Sequence, residues 1–300
     1  LKIGGICVGD FKLDVLSYDT TLRDGSQGEG ISLSIDDKLR IARKLDYLGI
    51  SYIEGGWPGS NPKDLEFFQR VREIELKNSR ITAFSSTRKP DIAIKQDSNI
   101  QALLQSGVKA ATIFGKSWDF HVLRALETTL EENLAMIRDT VAFLKDAGWE
   151  VIFDAEHFFD GYKNNRDYAL RVLEAAADAG ADWLVLCDTN GGTMPWEVEQ
   201  IVCQVREFSR TPLGIHAHND GACAVANSLV AIKNGCSQVQ GTINGYGERC
   251  GNGDLCSIIP SLELKMGLKV LPGDNLRYLS EVSHYVTEIA NMPHYNNQPL

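Results

Sequence analysis

YDTTLRDGSQGEG, residues 18–30, is the stretch from which the rest of the chain can be read. An apolar lead-in, Val15-Leu16-Ser17-Tyr18, runs straight into Arg23 and Asp24 and then into Gly25, Gly28 and Gly30. This pattern predicts a buried strand ending in a flexible loop that carries one permanent cation and one carboxylate side by side. Far along the chain a second strand-like run, Leu213 to Asn219, carries His216 and His218. Residues two apart on a strand point the same way, so both imidazoles face one side. One carboxylate and two imidazoles make a divalent-metal donor set: Asp24, His216 and His218 are candidate ligands, with Arg23 beside them.

That set requires the ends of two distant strands to meet, and the intervening pattern supplies a way. Strand-like runs fall near 14–21, 51–57, 80–86, 110–115, 150–156, 183–188, 213–219 and 238–243. Helix-like runs fall between and after them, near 34–48, 61–76, 97–106, 129–147, 165–179, 195–208, 221–234 and 254–266. Repeated β-then-α units over roughly 250 residues predict an α/β fold, a (β/α)8 TIM barrel, over 1–271. Ser34, Asn61 and Thr193 read as helix starts, and Gly49, Gly107, Gly148, Gly180 and Gly235 as helix stops. An open doubly wound sheet is the competing fold. It would need a GxGxxG phosphate turn after its first strand, which GSQGEG does not match, and it would hold the first and seventh strands farther apart.

Composition narrows the function. A net charge of −10 argues against nucleic acid as the main partner. No apolar stretch is long enough to span a membrane, and LKIGGICVGD lacks the basic and apolar regions of a secretory signal. Seven cysteines, an odd number without a CxxC pair, suit reduced thiols, and the expected location is cytoplasmic.

Barrels of this kind keep their chemistry at the C-terminal ends of the strands. Those ends carry Arg23 and Asp24, Glu54, Ser85 to Arg88, Lys116, then Asp154, Glu156 and His157, then Asp188 to Asn190, His216, His218 and Asn219, and finally Asn244 before GYGERCGNGD. TTLRDG, HAHND and GERCGNGD together resemble the metal-dependent Claisen-condensing barrels, the family of 2-isopropylmalate, homocitrate and citramalate synthases, to which 3-hydroxy-3-methylglutaryl-CoA lyase is more distantly related. FDAEHFFDGYKNN, CDTNGGTMPWE and SSTRKP look most like the citramalate branch. The resemblance covers about residues 14 to 298.

The resemblance implies an acyltransferase that condenses acetyl-CoA with a small 2-oxoacid, pyruvate favoured, and then hydrolyses the thioester to give citramalate. The same chemistry on a larger oxoacid, an isopropylmalate or homocitrate synthase, is the near alternative; pocket size near Phe84, Phe114 and Asp154 would separate them. A lyase running in reverse, or a metal and oxoacid binder without turnover, is the alternative of another class. The resemblance adds Asn252 to the metal ligands and leaves Mg²⁺, Mn²⁺ and Zn²⁺ open. It implies that Arg23 holds the ketone oxygen, that Glu54 orients Arg23, and that Gln27, Glu156 and Thr189 line the substrate. Asn219 is a further substrate-binding candidate. Cys250 reads as a small loop side chain and His157 as structural. After Pro272-Gly273 the chain reads as another helix, and 272–300 is expected to be a short C-terminal helical extension, the start of a linker subdomain cut short. His284, His294 and Tyr295 lack the glycine-isoleucine-histidine context that the family uses for its proton-transfer histidine. The expected full-length form is a homodimer.

Overall fold

A computed structural model describes residues 6–8, 11–60, 62–294 and 297–299. Eight parallel strands close into a barrel: β3 (Leu16–Asp19), β4 (Tyr52–Glu54), β5 (Arg80–Ser86), β6 (Ala110–Lys116), β7 (Glu150–Glu156), β8 (Trp183–Asp188), β9 (Leu213–Ala217) and β10 (Gln238–Gly241). β10 pairs with both β9 and β3, so the first and seventh barrel strands are separated by one neighbour. The expected TIM barrel is what forms. A short antiparallel hairpin, β1 (Ile6–Val8) with β2 (Phe11–Leu13), precedes it; the periodicity had not marked it.

Helices α1 (Ile35–Leu48), α2 (Pro62–Val71), α3 (Ser98–Gln105), α5 (Leu130–Asp146), α7 (Arg166–Asp178), α8 (Pro195–Phe208), α9 (Ala224–Lys233) and α10 (Leu255–Pro260) match the predicted runs. Two short helices, α4 (Asp119–Arg124) and α6 (Phe158–Asn164), are additional. Ser34 caps α1 as expected: its hydroxyl accepts from Asp37 N at 3.1 Å while the Asp37 carboxylate accepts from Ser34 N at 3.0 Å. All five glycine stops take positive φ, from +74° at Gly107 to +112° at Gly235, the left-handed conformation that ends a helix without a Cβ clash. Asn61 lies outside the described residues. Thr193 is not a cap. Its hydroxyl donates to Asp188 at 2.8 Å, and Glu197 instead accepts from Met194 N at 2.8 Å at the start of α8.

Two apolar layers hold the fold. Leu16, Tyr18, Tyr52, Ile152, Trp183 and Val185 fill the barrel, while the outward faces of the strands join the helices in a larger cluster. Each strand therefore buries both faces, which is why β3 and β9 read as apolar runs rather than alternating ones. After α10 the chain returns beneath the barrel, where Lys269 O accepts from Asp14 N and Val15 N. The last helix, α11 (Leu279–Ile289), then packs on α1, with Leu279, Val282 and Val286 in the same apolar cluster as the barrel helices.

Candidate functional site

The turn after β3 is built before its functional residues arrive. Asp19, fully buried, accepts from Thr21 N (2.9 Å) and from the Thr21 hydroxyl (2.8 Å), and the Thr21 hydroxyl accepts from Ile243 N (2.9 Å) just past β10. This ties the first loop to the last strand. Burial, opposed by the bonds from Thr21, raises the Asp19 carboxyl to about 7.

Arg23 and Asp24 then project over the barrel mouth. The guanidinium forks onto Asp24 (3.1 and 3.0 Å), bonds through Nε to Glu54 on β4, and stacks 3.8 Å above the Phe84 ring. Burial works against its charge, but Asp24 and Glu54 keep it protonated. Glu54 has no solvent exposure, and its second oxygen accepts from the Tyr18 hydroxyl at 2.7 Å. Glu54 thus fixes Arg23 from below, and Tyr18 fixes Glu54.

Asp24, His216 and His218 converge, with one potential ligand atom from each lying within 4.8 Å of the others. His216 Nε2 is 3.4 Å from Asp24 Oδ2 and 3.3 Å from His218 Nε2. Burial, then the neighbouring His216, pushes His218 down to about 3, so it is a neutral donor. Burial raises the Asp24 carboxyl, yet Arg23 and then the two imidazoles outweigh it, and the net shift is downward. Asn252 joins them through a bridge to His218, because the 247–253 loop is stitched to both strands: Gly253 N donates to Ala217 O and Thr242 N to Gly253 O. Its Oδ1 is buried without a partner, as is His218 Nδ1. A buried carboxamide oxygen left bare beside a carboxylate and two neutral imidazoles fits a cation, since an orphan acceptor is otherwise costly.

Arg23, Asp24, His216 and His218 line a cavity of about 510 Å³ that also includes Gln27, Glu156 and Thr189, while Asn252, bridged to His218, is not among the lining residues. Glu156 pairs with Lys116 at 2.5 Å, and the Thr189 hydroxyl accepts from His157 N at 2.9 Å. Asn219 is used differently: its Oδ1 accepts from Ala224 N (3.2 Å) at the start of α9, and it is not among the cavity-lining residues. Cys250 is exposed and His157 stacks edge-on against His121. Glu248 and Arg249 form an ion pair, at 3.0 Å, and Arg249 further clamps Asp220 (2.8 and 3.0 Å) and Thr189 O (2.7 Å). His284 and His294 stack on each other at 4.2 Å and neither lines the cavity; Tyr295 lies outside the described residues.

Sequence reasoning missed two features. Lys38 on α1 is buried against Asp64 on α2 (2.7 Å) and Gly55 O (3.2 Å) at the cavity's edge. Gln240 on β10 bonds to both His216 and Asp154, joining the site to the barrel interior. Neither carries a local signal, because each becomes meaningful only through strand closure or helix packing.

The HMGL-like family model matches residues 15–286. The chain belongs to that family. It is 59% identical to the (R)-citramalate synthase of Aquifex aeolicus (95% of this chain, 54% of the relative) and 54% identical to that of Synechocystis sp. (96% and 54%). The homocitrate synthase AksA of Methanopyrus kandleri is 35% identical (94% and 68%). The chain spans about half the length of the two citramalate synthases, 54% of each. Among solved structures, the HMG-CoA lyase of Bacillus subtilis superposes with a TM-score of 0.79 at 20% identity, covering 94% of this chain and 96% of that one, a likeness of fold. Members of the family use a divalent metal. Among the described residues no helix is long and apolar enough to cross a membrane.

Proposed function

We propose that this chain carries the active site of an (R)-citramalate synthase, joining the methyl carbon of acetyl-CoA to the ketone carbon of pyruvate and releasing citramalate and CoA after hydrolysis of the thioester. The observation that carries the reading is the contrast in likeness: 59% identity to a citramalate synthase against 35% to a homocitrate synthase and 33% to a 2-isopropylmalate synthase.

Asp24, His216, His218 and Asn252 would hold the divalent ion, which when bound supplies Lewis-acid polarisation of a chelating 2-oxoacid. Mg²⁺, Mn²⁺ and Zn²⁺ all suit a carboxylate, amide and imidazole set. The rest belongs to the chain's own residues. As carbon attacks carbon, charge grows on the former ketone oxygen, and the Arg23 guanidinium donates to it. Because Glu54 and Asp24 already hold the fork, little reorganisation is needed at that moment. Thr189 and Gln27, both lining the cavity, would take the oxoacid carboxylate, and Glu156, paired with Lys116, presents a carboxylate beside Thr189 at the end of the neighbouring strand. Phe84 and Phe114 stack at 5.1 Å and narrow the space for the oxoacid's side group, which favours pyruvate's methyl. We also read the native assembly as a cytoplasmic homodimer.

The test is CoA thiol release from acetyl-CoA with pyruvate, 2-oxoisovalerate and 2-oxoglutarate, with and without chelator. Pyruvate should give the fastest release, chelator should abolish it, and Arg23→Ala should lower turnover by roughly 10²–10³-fold, the loss of one preorganised donor. Arg23→Lys should not restore it, since a point charge cannot replace the two-pronged fork. Faster release with a larger oxoacid, or release indifferent to chelator, would refute the reading.

A further inference from the structure

We propose that Gln240 is a positioning residue for the metal site: its carboxamide fixes His216 in the tautomer whose Nε2 lone pair faces Asp24 and His218. This rests on the reading of Asp24, His216 and His218 as ligands, and not on the identity of the substrate.

In the closed barrel Gln240 is the direct partner of His216 on β9 and of Tyr18 on β3, so its side chain points into the barrel at the level of both. It is completely buried, and each of its polar atoms is engaged. Its Nε2 donates across the barrel to Asp154 Oδ1 at 3.1 Å and lies 3.4 Å from Gln238 Oε1. Two oxygen acceptors on that side leave Oε1 as the end that faces His216, and it lies 2.9 Å from Nδ1. An amide oxygen cannot donate, so the imidazole nitrogen facing it must carry the proton. A neutral imidazole has one N–H, which leaves Nε2 bare, and Nε2 is the atom that faces Asp24 and His218. The rigid carboxamide also sets the ring's rotation, because Asp154 holds it from a strand on the other side of the barrel.

Partners on the far nitrogen of a ligating histidine fix tautomer and orientation, and losing one typically costs about 10–100-fold in metal affinity. The same arrangement explains why a costly feature, a fully buried amide, is present at this register position.

The experiment reads the tautomer directly and then the consequence. Side-chain ¹⁵N–¹H NMR of protein labelled with ¹⁵N-histidine, with chelator present, should show His216 as the Nδ1–H form; His216→Asn supplies the assignment. In Gln240→Leu the Nδ1–H signature should be lost and Mn²⁺ or Co²⁺ affinity by calorimetry should fall by about 10–100-fold. Gln240→Glu retains an acceptor for Nδ1–H and should stay within a few-fold of the parent. An Nε2–H signature in the parent protein, or unchanged metal affinity in Gln240→Leu, would overturn the inference. Should Gln240→Leu not fold, the parent tautomer and the affinity of Gln240→Glu still decide it. A parent that binds no divalent ion would overturn the metal-site reading itself, which is a different outcome from a parent that binds tightly and is indifferent to Gln240.

Discussion

Replacing Tyr18 with Phe removes one oxygen from the barrel interior and should destabilise the protein far more than its volume implies. The hydroxyl donates to Glu54 Oε2 at 2.7 Å and lies 2.8 Å from the Thr82 hydroxyl and 2.5 Å from the Thr112 hydroxyl. Burial first, then the Glu54 charge, raises the phenol well above its usual range, so it remains a donor at any ordinary pH. A hydrogen bond to a charged group contributes about 1.5–3 kcal/mol, and its loss leaves a carboxylate oxygen short of a donor in a place without solvent. About 2–3 kcal/mol is therefore expected, a fall of roughly 3–5 °C in Tm for a chain of this size. Glu54→Gln keeps the shape but removes the charge. If the bond is the cause, the two substitutions should couple: the double variant should lose about 1 kcal/mol or more less than the sum of the single ones. Thermal and urea melts of the four proteins, with chelator present so that metal loss does not enter, supply the cycle. A Tyr18→Phe cost below about 0.5 kcal/mol, or additivity within that margin, would show that Tyr18 merely fills space and that Glu54 is held by something else.

Other expectations follow from single contacts. Asn252→Ala should cost the metal-free protein only about 1 kcal/mol, since the Oδ1 it deletes has no partner and the Nδ2 bond it loses, to Tyr246 O at 3.2 Å, leaves that carbonyl the Thr242 hydroxyl, while metal affinity by calorimetry drops at least about tenfold; unchanged metal affinity would refute the orphan-acceptor argument. Asp19, raised to about 7 by burial, holds its proton in the folded state when the unfolded carboxyl has already released it. Its contribution is thus fully present below about pH 4 and lost as pH rises toward 7. Asp19→Asn should therefore change the pH dependence of stability in one direction: relative to the parent, the variant gains between pH 4 and 7, as read from urea midpoints, and parallel pH curves would refute it. Gly241→Ala would place a Cβ 2.3 Å from Gly253 O, pushing away the loop that carries Asn252, so both Tm and metal affinity should fall together.

Much of this protein was legible in the chain itself. The alternation of apolar runs with amphipathic ones fixed the order of strands and helices, since each element must bury one face and the period of that face is local. The helix stops at Gly49, Gly107, Gly148, Gly180 and Gly235 were legible for the same reason: a left-handed residue after a helix depends on its own backbone. His216 and His218 lie two apart on one strand, so their common direction needed no knowledge of the fold. Arg23 and Asp24, adjacent after a strand, were equally plain.

What the tertiary structure decided is everything that crosses the barrel. Nothing local marks Gln238 and Gln240 as interior, yet closure places both inside, and only the register of β10 against β9 sets Gln240 opposite His216. Asn219, beside the histidines in sequence, is absent from the cavity lining, and its side chain accepts from the Ala224 amide that opens α9. Thr193 lies one residue before the cap of α8, but Asp188 claims its hydroxyl. Gln240 finds its partner on another β-α unit, whereas Thr193 and Asn219 find theirs within their own, across the folded loop between strand and helix. Local periodicity says which face of an element is buried. It is silent on which neighbour the burial supplies, and a side chain with two possible partners follows whichever neighbour closure brings within hydrogen-bonding distance.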